Sequence, residues 1–60
     1  MRLIKILDTD NITVYLNPRF VQTITVVDND CIVIGIDKNS CIETADRESL
    51  RRVRELFGLT

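Results

Sequence analysis

The run Cys31-Ile-Val-Ile-Gly-Ile constrains the fold of this chain more than any other stretch, because a polar turn stands at each end of it. Asp28-Asn29-Asp30 separates it from the β-rich residues 21–27, and Asp37-Lys38-Asn39 separates it from residues 40–44. Asn and Asp bond their own backbone and tolerate positive φ, as a three-residue hairpin loop requires. The run is therefore expected to be a central strand shared by two hairpins. With residue 29 at one apex, Ile24 faces Ile34 and Val26 faces Ile32. With residue 38 at the other, Ile34 faces Ile42 and Ile36 faces Ser40. Both registers gather Ile24, Val26, Ile32, Ile34, Ile36 and Ile42 on one face. A slip of one residue would scatter that set, so burial enforces the pairing.

The opposite face of the same strands carries Thr23, Thr25, Val27, Cys31, Val33, Gly35, Cys41 and Glu43. An antiparallel sheet with one wet face normally shows charged or strongly polar residues there, and here the only charge is Glu43. Threonine, valine and cysteine also suit a pleated strand for its own sake. The near absence of charge nevertheless points to a face covered by another copy of the chain.

Length strengthens that expectation. Sixty residues make one domain, 1–60, and a chain of this size buries only about 60% of the surface its unfolded form exposes. Small domains compensate with disulfides, a metal or self-association. The two cysteines share a face but lie too far apart along the ladder for a bridge within one chain. Free thiols suit a reducing, intracellular setting. Histidine is absent and no close cysteine pair exists, which argues against a metal site. Apolar residues make up 45% of the chain, enough for a compact core rather than disorder.

The rest of the chain fits around the centre. Residues 2–8 and 12–16 alternate as two further strands, joined by Thr9-Asp10-Asn11 with Asn11 expected at positive φ. That turn opposes Ile4 to Leu16 and Ile6 to Val14, and leaves Leu3, Lys5, Leu7, Thr13 and Tyr15 on the other side. Asn17-Pro18-Arg19 is a corner, since proline removes a ladder donor and pushes Asn17 toward extended geometry. Phe20 is expected to plug an end of the core beyond it. After residues 40–44 the period changes to 3.6: Leu50, Val53, Leu56 and Phe57 form one stripe of an amphipathic helix over about 47–57. Asp46 is the expected N-cap, Glu48 suits the helix dipole, and Gly58 stands where a left-handed cap is wanted. The fold expected is α+β: a curled five-strand antiparallel meander with the C-terminal helix across the isoleucine face.

Function is less legible. Net charge is −1, so no overall field draws the molecule to nucleic acid. No apolar run is long enough to cross a membrane, and Lys5, Asp8 and Asp10 end any likeness to a secretory signal, which gives a cytoplasmic expectation. The aspartate-rich turns lack the spacing, glycine and closing glutamate of a calcium loop. Arg47, Arg51 and Arg54 form a basic stripe on the expected helix, a candidate contact for an anion or acidic partner. Arg51 precedes Glu55 by four residues and Arg52 follows Glu48 by four, so a salt-bridged, solvated surface explains the arginines as well. Without histidine, without a glycine-rich phosphate loop, and with Ser40 and Ser49 lacking a neighbouring base, the chain reads as non-enzymatic, with no catalytic residue and no cofactor.

The order strand, polar turn, strand, then Leu16-Asn17-Pro18 followed by Val21 and Ile24, resembles the small FlbD-like (SwrD-like) flagellar proteins over about residues 3–57. The turns here lack the glycines usual in that family, and the thiols are no mark of it. The resemblance implies a bacterial accessory protein acting through contacts, and assigns no site residue. The leading expectation is thus a non-catalytic homo-oligomeric module whose interface holds Tyr15, Thr23, Thr25, Val27, Cys31, Val33 and Cys41. Two other readings stay open: a nucleic-acid or acidic-partner binder using the arginine helix, and an oligomer, bacterial or phage-encoded, that sequesters a nucleotide-like ligand between subunits.

Overall fold

The computed structural model describes residues 2–59. Five strands and one helix follow in order: β1 (Ile4–Leu7), β2 (Thr13–Leu16), a 3-10 turn (Pro18–Phe20), β3 (Thr23–Asp28), β4 (Cys31–Asp37), β5 (Ser40–Thr44) and α1 (Arg47–Phe57). The class is α+β and all pairing is antiparallel.

The strands do not form one meander. The ladder is divided into a hairpin, β1-β2, and a three-stranded sheet, β3-β4-β5, and neither sheet closes on itself. The division falls at the proline corner. Asn17 caps the 3-10 turn by accepting the Arg19 N–H at 3.0 Å, and the Val21 N–H returns to the Pro18 carbonyl. These local bonds turn the chain where a ladder between β2 and β3 would have to begin.

Within each sheet the expected registers hold at the centre: Ile4 faces Leu16, Ile6 faces Val14, Ile24 faces Ile34, Val26 faces Ile32, and Ile34 faces Ile42. The first hairpin has the expected three-residue loop, with Asn11 at φ 62. The other two loops differ from expectation. Asp28 pairs with Cys31 and Asp37 with Ser40, so each turn has two residues and the odd residue becomes a bulge, at Val27 and at Ile36. The cause is the aspartate at each turn start. Asp28 Oδ1 accepts the Asp30 N–H at 2.7 Å and Asp37 Oδ1 accepts the Asn39 N–H at 2.8 Å. Those bonds draw each aspartate into the turn, and the strand absorbs the spare residue. Ile36 consequently does not oppose Ser40.

The helix starts and stops where its caps dictate. Asp46 accepts the Ser49 N–H, and Gly58 takes φ 68 so that the Leu59 N–H reaches back to the Arg54 carbonyl. Leu50 and Val53 join Ile6, Leu16, Ile32 and Ile34 in the buried core, so both sheets and the helix share one interior. The helix lies chiefly against β1 rather than across the three-stranded sheet. Val26, at the far edge of that sheet, is therefore 50% exposed despite its inward register, and Leu56 is 43% exposed. Phe20 plugs nothing: it ends the 3-10 turn at 65% exposure. Among the described residues no helix is long and apolar enough to cross a membrane.

Two buried hydroxyls tie the parts together. Thr44 Oγ1 donates to the Leu7 carbonyl at 2.6 Å, and Ser49 Oγ accepts the Leu7 N–H at 2.8 Å while donating to Asp46. The Thr9 N–H also bonds the Glu43 carbonyl. Thus β1, β5 and the first turn of α1 meet at one residue, Leu7, whose backbone would otherwise be an unpaired strand edge.

Candidate interaction surface

The outer face of the three-stranded sheet is built from two cross-strand rows. Thr23, Gly35 and Cys41 stand opposite one another in the first, and Thr25, Val33 and Glu43 in the second. Alternation along a strand sends these side chains away from the core occupied by Ile32 and Ile34. The helix lies on the other side, and this face is left open: Thr23, Thr25, Cys41 and Glu43 are exposed, and Val33 and Gly35 are half-buried by their neighbours.

Gly35 has a local reason. A β-carbon there would run into the Thr23 hydroxyl, which leans over the glycine from the neighbouring strand. The middle of the first row is consequently filled by the Thr23 side chain, with the Cys41 thiol on the far side of the glycine. Cys31 lies on the same face near the β3–β4 turn, beside Glu43. Burial, then the nearby Glu43 and Asp28 carboxylates, push its thiol pKa up. Cys31 is thus held as a neutral thiol. It and Cys41 are both free, and Cys41 faces Gly35, four residues along β4 from Cys31, roughly 13 Å at about 3.3 Å per residue.

Of the residues expected at an interface, the structure brings Thr23, Thr25, Cys31, Val33 and Cys41 together. Tyr15 is in the other ladder, opposite Lys5, and 64% exposed. Val27 lies outside both rows because it forms the bulge, where it is 58% exposed.

The helix arginines are largely engaged. Arg51 is held between Glu48 and Glu55, and this keeps the Glu48 carboxyl below its ordinary range and the guanidinium above its own. Arg54 donates to the Asn29 carbonyl at 2.6 Å, which anchors the β3–β4 turn to the helix. Arg52, outside the expected stripe, donates to the Lys5 carbonyl at 2.8 Å. Arg47 alone of the three stripe arginines makes no such bond among the described residues.

A recess that sequence reasoning did not locate opens between β1 and α1. It measures about 570 Å³ and is lined by Arg2, Leu3, Ile4, Lys5, Arg52, Glu55 and Leu56. Ser49 and Arg52 bond the β1 backbone at Leu7 and Lys5, and the recess lies beside Arg52 on the side of Arg2, Leu3 and Leu56. Among the described residues no group of three or more acidic, cysteine or histidine side chains could hold a metal ion. Comparison with known protein families, characterised proteins and solved structures returns no match.

Proposed function

We propose that this chain is a non-catalytic interaction module that associates with further copies of itself through the outer face of β3-β4-β5. The observation that carries the reading is the pair of rows Thr23-Gly35-Cys41 and Thr25-Val33-Glu43, open to solvent with a single charge between them. A sheet face meant for water normally alternates apolar-in with strongly polar-out. This one presents small hydroxyl, thiol and aliphatic groups, with the Thr23 hydroxyl filling the space above Gly35, a face of low relief suited to packing against a second sheet.

The engaged arginines favour this surface over the helix as the contact site, because Arg51 and Arg54 would have to leave partners in their own chain to bind an anion. Free thiols on the face fit action in a reducing compartment, and we place it in the cytoplasm. An accessory role exercised through contacts, the kind implied by the FlbD-like resemblance, is consistent with such a module.

Val33 is the test. It stands at the centre of the second row, so Val33→Lys places a charge in the middle of the contact. Sedimentation velocity should show the variant dissociating while its circular dichroism stays that of the parent. An unchanged mass would count against the face.

A further inference from the structure

The β3 edge offers a second contact, and the size of the sheet face calls for one. Three strands about 4.8 Å apart, each about five residues long at about 3.3 Å per residue, make a plate of roughly 240 Å². Doubling that for side-chain relief reaches on the order of 500 Å², against the ~800 Å² per partner typical of a stable association. One face packed on another is too small a contact to stand alone.

The strand edges are not equivalent. The β1 edge is covered by Ser49, Thr44 and Arg52, and the β5 edge gives its Glu43 carbonyl to Thr9. β2 has four residues and runs into the proline corner. β3 has six. No residue from Val21 to Val27 is charged or proline, and every residue of the strand except Ile24 is exposed. Among the described residues no hydrogen bond other than those of the β4 ladder reaches the backbone of residues 23–27. Charged residues, prolines and covering elements are the usual protections of an edge strand, and β3 has only the bulge at Val27 and the charge of Asp28, both at its C-terminal end.

We infer that a second copy adds its own β3 antiparallel to this edge about a two-fold axis near Thr25, giving one continuous sheet per pair of chains, and that two such pairs pack outer face to outer face as a tetramer. The inference rests on the face reading above. A two-fold at Thr25 sets Thr23 opposite Val27 of the second copy and Asp28 opposite Gln22, so no like charges meet. Antiparallel edge pairing about a perpendicular two-fold puts both outer faces on the same side of the joined sheet, doubling the face available for packing. The full assembly then has the closed symmetry of a dimer of dimers.

The experiment combines mass with amide exchange on the full chain. Sedimentation velocity should give four copies for the parent and two for Val33→Lys, with Cys41→Lys as the second face variant should the first unfold. Nuclear magnetic resonance of the variant should show the alternate amides of residues 23–27 that point away from β4 exchanging about tenfold more slowly in concentrated than in dilute samples. A parent species of two copies whose outward β3 amides exchange freely overturns the edge contact and leaves the face reading standing. A parent mass that both face variants leave unchanged, with fold intact, overturns the face reading itself. A monomeric parent overturns both.

Discussion

The Thr23 hydroxyl occupies the space that a β-carbon on Gly35 would need, although the two residues belong to neighbouring strands and face each other directly. The glycine is there for its neighbour rather than for its backbone, and the contact sits in the middle of the proposed interface. Gly35→Ala should force Thr23 out of its rotamer and destabilise the fold by about 1–3 kcal/mol. Thr23→Ala in the same chain should restore most of that loss, which a double-mutant cycle in urea would read as strong coupling. Additive effects would mean that the hydroxyl and the glycine are independent.

Leu7 is the second point where one substitution should be felt widely. Ser49→Ala removes the acceptor for a Leu7 N–H and a donor to Asp46. Leaving a buried N–H unmet costs about 1–3 kcal/mol. Thr44→Val strands only the Leu7 carbonyl, which is under-satisfied at smaller cost. Equilibrium unfolding should rank Ser49→Ala as the more damaging of the two.

The two thiols should separate kinetically. Cys31 is half-buried beside Glu43 and has its pKa raised, whereas Cys41 is exposed. Alkylation with iodoacetamide at mildly alkaline pH, followed by peptide mass spectrometry, should modify Cys41 several-fold faster, and Glu43→Gln should narrow the gap. The same shift has a stability consequence. The fold prefers the protonated Cys31, so its contribution is fully present below the ordinary thiol value of about 8.5 and is lost as pH rises through the folded value. The urea midpoint should fall on the alkaline side, and fall less in Cys31→Ser.

Arg54 should behave as a structural residue. Its bond to the Asn29 carbonyl ties the β3–β4 turn to the helix. Arg54→Ala should cost about 0.5–1.5 kcal/mol, the net range for a hydrogen bond open to solvent, and speed amide exchange in the turn. Exchange that stays unchanged there would show the contact to be idle.

Much of this architecture was readable from residue patterns, and the misses share a physical origin. Helix bounds were legible because Asp46 and Gly58 act through bonds local in sequence, and the central registers because isoleucines at alternate positions admit one pairing. The bulges were not, since a three-residue loop and a two-residue loop with a bulge use the same residues and differ only in where the Asp28 and Asp37 carboxylates bond. Val26 and Leu56 have the right periodicity, but their exposure depends on the helix lying over β1, a tertiary fact that no local pattern carries. Likewise the Asn17-Pro18 corner announces a turn without saying whether the ladder resumes beyond it. Thr44 could have been found: it shares the inward parity of Ile42, and a hydroxyl at a core position implies a polar partner. The open face was visible as a strip nearly free of charge. Its true membership, without Tyr15 and Val27, required the division into two sheets and the bulge.

Association through the outer face of β3-β4-β5 is tested most directly by the mass of the unmodified chain in solution, measured by light scattering at low and high salt. An interface of threonine, valine, cysteine and glycine whose only charge is Glu43 gains no long-range attraction from charge, so screening should not disperse it. The expected result is a species larger than one chain whose mass is the same at both salt concentrations. A monomer at both would contradict the claim.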